Sequence, residues 1–283
     1  MSRVVVVFVI GAIGISWAAI FGRLAAPAPP VMVALWRMIF AAPILVGLAM
    51  FRGELPRGRD GWALFIGGGL FALDLTLWYT SLTLTSIANA TLLVNTTSLS
   101  IGLWSWLTQG ERLGWRFWAP AALALGGAGL VVRADLGQGE AVWGDVLAIF
   151  GSFAYAAYLI VVKQARARCT ALGAMAMATL GALVSLLAYA LVMRVPLTGY
   201  PSNAWWSFIG SAFVTHILGM TCIVWSLRYL RSTFTALALL AQPVGSTALA
   251  WLVLGEAIGL EQGLGAVAVG VGVVLCARAA GRG

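Results

Sequence analysis

Three ionisable side chains stand inside apolar stretches: Arg37 in VMVALWRMIFAAPILV, Asp74 in LFALDLTLWY and His216 in AFVTHILGM. A charge at the middle of a membrane helix costs about 2.5–3.5 kcal/mol on insertion scales, so each needs a partner or a wet cavity. Arg37 lies eight residues into an apolar segment at 30–50, and Asp74 lies eight residues before the end of the next, 62–82. At the rise of an α-helix both sit about 12 Å from the same boundary. Equal depth predicts that they pair. The pair is either a structural salt bridge between two helices or a gate or proton-coupling couple. His216, halfway along 204–227, can exchange a proton near neutral pH, contact substrate or serve as a hydrogen-bonded structural residue.

Gln242-Pro243 occupies the middle of a further apolar segment, 232–254. Pro243 has no N–H, so a helix there breaks and the carbonyl of Leu239 loses its partner. A cavity or a substrate ammonium can satisfy such a carbonyl. Thr97, in the polar cluster Asn95-Thr96-Thr97-Ser98, stands at the corresponding place in 87–108. Asn95, Thr97 and Gln242 are therefore candidate substrate contacts, with interhelical hydrogen bonding as the plainer alternative. Aromatic residues supply a third set. Tyr155 and Tyr158 share a helix face, and with Trp17 and Tyr79 they form a candidate apolar vestibule or ammonium contact. Trp78 beside them reads better as an interface-belt residue.

Hydrophobic residues make up 61% of the 283 positions and charged residues only 9%. Soluble domains carry about 25% charged residues, so lipid is the expected solvent. The net charge of +8 then reports membrane orientation rather than nucleic-acid binding. Cys169, Cys222 and Cys276 have no metal-like spacing. No nucleotide-binding motif, metal cluster, cofactor site or catalytic constellation is expected. With nine acidic residues and one His dispersed along the chain, a membrane enzyme is the weaker hypothesis.

Ten apolar segments are long enough to cross a bilayer as helices: 4–22, 30–50, 62–82, 87–108, 115–133, 143–162, 172–193, 204–227, 232–254 and 259–277. The first is read as a span rather than a signal peptide, because its apolar core is long and many spans follow. With both termini cytoplasmic, thirteen basic residues fall inside, Arg23, Arg133 and Arg194 fall outside, and Arg37 lies within a span. Thr85–Glu111 returns 145 residues later as Leu230–Glu256, with Leu92 on Leu237, Trp106-Leu107 on Trp251-Leu252 and Gly110-Glu111 on Gly255-Glu256. Residues 1–138 and 139–283 are thus one unit written twice. Five spans is an odd number, so the second unit enters the membrane inverted. Inverted repeats place a substrate site near the midplane, where the halves meet. Glu111 and Glu256 read as helix caps, and the Gly-rich fifth and tenth spans as packing surfaces.

These motifs resemble the EamA branch of the drug/metabolite transporter superfamily. The matching residues include Ser16-Trp17-Ala18-Ala19, Trp36-Arg37, WYTSLTLTSIANA ending at Ala90, YAAYLIVVK (155–163) and WSLRYLRSTFTALALLAQPV (225–244). The resemblance implies an all-α membrane protein of the inner (cytoplasmic) membrane, working by alternating access as monomer or homodimer. It implies export of small metabolites, with exporters of aromatic and other amino acids the nearest subgroup. One departure is Ser98, where the family often has Pro in the fourth span. A drug/metabolite:proton antiporter of another substrate class and a channel remain as alternatives. The gate or proton-coupling reading of Arg37 and Asp74 predicts that Asp74→Asn loses transport or its pH dependence. Full transport with an unchanged pH profile in proteoliposomes would leave only the structural pair.

Overall fold

Lipid offers no partner to a free N–H or C=O, so apolar spans close their hydrogen bonds internally as helices. The computed structural model describes residues 2–94, 96–109, 119, 122, 139–230 and 241–255. The helices are α1 (Ser2–Leu24), α2 (Pro30–Phe51), α3 (Gly58–Leu84), α4 (Ile87–Val94), α5 (Thr96–Gln109), α6 (Glu140–Ala165), α7 (Ala171–Val192), α8 (Ser202–Leu227) and α9 (Ala241–Leu249). Residues Ala250–Leu254 continue α9 in wide π-type turns. Six of these helices are long and apolar enough to cross a membrane: α1, α2, α3, α6, α7 and α8. The predicted spans 115–133 and 259–277 lie outside the described residues, apart from positions 119 and 122. So do Asn95, Glu111 and Glu256.

Local sequence sets the helix ends. Pro30 opens α2 where its missing N–H costs nothing. Gly53 (φ 64°) and Gly255 (φ 67°) take the left-handed conformation that ends a helix. The Thr170 side chain accepts from the Gly173 N–H and caps α7. Hydroxyls inside spans bond back to their own helix, as Thr76 does to Ala72 O at 2.9 Å and Ser226 to Cys222 O at 2.8 Å. Val6, Val9 and Ile13 on α1, and Phe150 and Phe153 on α6, are exposed where lipid would cover them.

The two halves interlock. α1 packs on α8, and the corresponding pair, α6 on α3, packs likewise. α1 with α9 is matched by α6 with α4 and α5, and α2 with α8 by α7 with α3. α2 with α7 and α4 with α9 are their own counterparts. Directions follow from close contacts. Arg23 Nη2 donates to Thr85 O at 2.7 Å, so α1 and α3 end together and run parallel. Gly144 lies against Leu84 and Thr85, Gly151 against Asp74 and Leu77, and Gly67 against Val161, so α6 runs antiparallel to α3. α6 is therefore inverted relative to α1, as the odd span count requires.

One end of the bundle gathers the loops that the charge count assigns to the cytoplasm. Arg168 grips Asp60 through two hydrogen bonds of 2.6 and 2.8 Å, Thr170 donates to Glu54 at 2.6 Å, and Lys163 donates to Leu230 O at 3.1 Å. At the other end Trp36 Nε1 donates to Leu197 O at 2.9 Å, and Asn203 Nδ2 donates to Leu24 O and Ala26 O. Trp62, Trp143 and Trp206 are exposed at helix ends, as belt residues should be. Trp205, next to Trp206 near the start of α8, instead packs edge-on against Trp36 at 4.6 Å.

Glycine permits the closest approaches between helices. A Cβ on Gly181 would run into the Phe65 carbonyl, whereas one on Gly47 would meet open space. Gly181→Ala should therefore destabilise the detergent-solubilised protein by about 1–3 kcal/mol, the usual cost of overpacking, and Gly47→Ala should not. Thermal unfolding of the two variants side by side checks this; equal melting temperatures would count against the α3–α7 packing.

Candidate functional site

Seven helices meet around a cavity of about 40 Å³. Its polar wall is Arg37 from α2, Asp74 from α3, Tyr155 from α6, Thr215 from α8 and Gln242 from α9. Its apolar wall includes Ile15 of α1, Phe71, Leu75 and Trp78 of α3, Val94 of α4 and Met220 of α8. A water needs about 10–15 Å³, so the space holds a few waters and no metabolite.

Arg37 is only 2% exposed. Its guanidinium lies 5.5 Å from the centre of the Phe71 ring, within cation–π range. Its Nη2 sits 3.4 Å from His216 Nδ1, and His216 Nε2 lies 2.8 Å from Thr179 Oγ1. Arginine can only donate, so Nδ1 accepts and the ring proton belongs on Nε2, directed at Thr179. The expected ion pair between Arg37 and Asp74 is not formed. Both line the cavity, yet no nitrogen–oxygen contact between them falls within 4.0 Å, and Arg168–Asp60 is the ion pair among the described residues. Arg37 instead meets His216 of α8 through Nη2 and lies over the Phe71 ring of α3.

The aromatic residues stack behind this wall. Phe71 stacks on Tyr158 at 4.6 Å, and Tyr155 lies 6.1 Å from Tyr158. The hydroxyls of Tyr155 and Tyr158 donate to sulfur, at Met220 Sδ (3.7 Å) and Met175 Sδ (4.0 Å). Glycine at position 151 leaves room beside Asp74 Oδ1, which an added Cβ would meet at 3.4 Å.

Of the sequence-derived candidates, Arg37, Asp74, Tyr155 and Gln242 come together on the cavity. His216 and Tyr158 stand directly behind it, fully buried. Trp17 is half-buried and packs on Phe21 at 5.7 Å. Tyr79 reaches Ser211 Oγ at 3.3 Å. Thr97 is buried and donates to Ser152 O at 3.0 Å, tying α5 to α6. The backbone at Pro243 is helical, and the Leu239 carbonyl lies outside the described residues, as does Asn95. Ser16 joins α1 to α9: its hydroxyl is shared between Ala12 O at 2.8 Å and Gln242 O at 3.2 Å, and its backbone carbonyl accepts from Ser246 Oγ at 3.2 Å.

Trp78 corrects an expectation: it is 5% exposed and lines the cavity, so it is no belt residue. Sequence reasoning missed Phe71, Thr215, Met220 and Thr179. It also passed over Asp145, which is buried close to the start of α6. Thr215 and His216 fall in the wide-turned stretch Ser211–Met220, a departure from α-helix that often accompanies functional sites.

A family model described as the EamA-like transporter family matches residues 2–133 and 142–278. The chain belongs to the EamA-like transporter family. It is a multi-pass membrane transporter, and the family unit occurs twice in it, once on each side of residues 134–141. One solved crystal structure is similar to this EamA-like chain with a TM-score of 0.74 and 20% identity, over 95% of this chain and 96% of the other. At that identity the likeness shows the fold alone. No curated protein matches.

Gln242 and Thr97 are equivalent in the repeat but differently placed, and thiol labelling separates them. With Cys169, Cys222 and Cys276 replaced by Ser, Gln242→Cys should react with a small charged thiol reagent at least about tenfold faster than Thr97→Cys, because access controls the rate. Equal rates would place Thr97 on the water path too.

Proposed function

We propose that this EamA-like protein is a secondary transporter that exports small metabolites across the inner membrane by alternating access. Its substrates on this reading are amino acids, including those with aromatic or large apolar side chains. The carrying observation is the cavity itself. It lies where helices of both halves meet, it sets a cation and an anion beside Phe71, Trp78 and Tyr155, and it is about 40 Å³ in volume. Ligand sites for small molecules occupy about 300–1,000 Å³, so a solute enters only if helices move apart. A pore that conducts without such movement would need a continuous water path. Among the described residues the cavity admits only a few waters, which favours a carrier over a channel.

The inverted packing supplies the movement. α1 on α8 and α3 on α6 are equivalent contacts of opposite polarity. Loosening one and tightening the other exchanges the open side without building a new contact type. Proton antiport is a second reading that turns on a single contact: His216 Nδ1 accepts from the cavity arginine, so a proton taken up there would have to displace the guanidinium.

The test is counterflow in proteoliposomes. Labelled phenylalanine, tryptophan, leucine and unrelated metabolites are offered to vesicles preloaded with unlabelled solute, with and without a pH gradient. Saturable, transient accumulation of at least one amino acid is expected. Saturable counterflow of other metabolites only would remove the amino-acid assignment, and non-saturating flux would indicate a channel. Dependence on the pH gradient decides for or against antiport.

A further inference from the structure

We infer that Arg37 and Asp74 form a split site for a zwitterion, the guanidinium taking a carboxylate and the carboxylate taking an ammonium, with His216 holding Arg37 off Asp74. This rests on the reading that the cavity receives the transported solute.

Two opposite charges in a low-dielectric wall attract strongly, and direct pairing is their default. Here they share a cavity of about 40 Å³ without pairing. What separates them is built into three helices. Thr179 of α7 fixes the His216 ring of α8, and His216 Nδ1 then receives Arg37 Nη2 of α2. Phe71 of α3 lies beside the guanidinium on another side. This leaves bonding capacity on both charges. Arg37 Nε is buried with no hydrogen-bond partner. Asp74 makes no hydrogen bond and no ion pair with a described residue.

The unused capacity has opposite sign at the two ends. A guanidinium takes a carboxylate through two parallel N–H bonds. A carboxylate takes an ammonium. A solute carrying one charge would pair with one wall group and leave the other buried and uncompensated, which is the costly arrangement. A compact zwitterion compensates both, while Trp78 and Tyr155 in the same wall offer apolar surface to a side chain. Gln242 can donate or accept beside either group.

Binding is measured on the full chain in detergent with three probes of one shape: L-phenylalanine, phenethylamine and 3-phenylpropionate. The amino acid should bind at least about tenfold more tightly than either singly charged analogue, given the size of charge-assisted hydrogen bonds. Asp74→Asn should erase the preference over 3-phenylpropionate but keep that over phenethylamine. Arg37→Gln should do the reverse. Loss of fold moves all three probes together and cannot produce this crossed pattern. His216→Phe, which removes the acceptor, should weaken phenylalanine binding, and His216→Gln, which keeps one, should restore much of it. The inference is overturned if the analogues bind as well as the amino acid, if folded Asp74→Asn and Arg37→Gln lose all three probes alike, or if none of the three binds the parent chain. The crossed pattern without counterflow would keep the split site and discard the transport cycle.

Discussion

The burial of the Arg37 guanidinium constrains everything around it. A cation in the apolar middle of a helix bundle must be compensated. Its compensation is assembled from three other helices: His216 from α8, held by Thr179 of α7, and Phe71 of α3. Asp74 is near enough to share the cavity but not to close the pair. Four helices from both halves are thereby tied to one charge. Shifting any of them against the others changes what the guanidinium touches. That makes the charge a natural reporter of how the halves are arranged.

The same helices approach closely because their contacts are lined with glycine and alanine. Gly11 and Gly14 of α1 meet Gly219 of α8, and Gly68 of α3 meets Ala178 and Ala182 of α7. In lipid such surfaces replace the hydrophobic driving force with dense packing. The two ends of the bundle are fastened differently. Where α3 begins, Asp60 takes a two-bonded grip from Arg168. Where α8 begins, the corresponding partner is the neutral Asn203, bonded to the carbonyls of Leu24 and Ala26. The fold repeats the contact; the side chains make one end ionic and the other an amide.

The spans were legible because lipid forces long apolar runs into helices, and eight of the ten can be followed at least in part in the described residues. Arg37 and Asp74 were legible because charges within spans are rare. Their relation was not. Counting residues gives depth along a helix, and depth says nothing about rotation about its axis. Arg37 and Asp74 match in depth, yet Arg37 Nη2 meets His216 and no contact with Asp74 closes. The repeat fails in the same way for Thr97 and Gln242. Register assigns them one place, but Thr97 turns to Ser152 and Gln242 to the cavity. Trp78 was misread because tryptophan near a span end usually marks the headgroup layer, a statistical signal that local packing overrides. Asp145 escaped notice because a carboxylate near the mouth of a span looks solvated until the neighbouring helix is known to cover it.

Divergence between the halves has an energetic consequence. Were the two units identical, the arrangement tightened at α1–α8 and the one tightened at α3–α6 would be related by symmetry and equal in free energy. They are not identical. The α1–α8 contact uses Gly11, Gly14 and Gly219 with a wide-turned α8, whereas α3–α6 uses Gly67, Gly144 and Gly151 with regular helices. The charges are also one-sided, since Arg37, Asp74 and His216 have no charged counterparts at the equivalent places. In the proposed cycle, the sequence differences between the halves and the wide-turned backbone of α8 would bias the equilibrium between the two arrangements. A solute would shift that equilibrium only by binding the two arrangements unequally. The polar groups of the cavity wall, placed on one half's α2 and α3 and the other half's α6, α8 and α9, are where such inequality would arise.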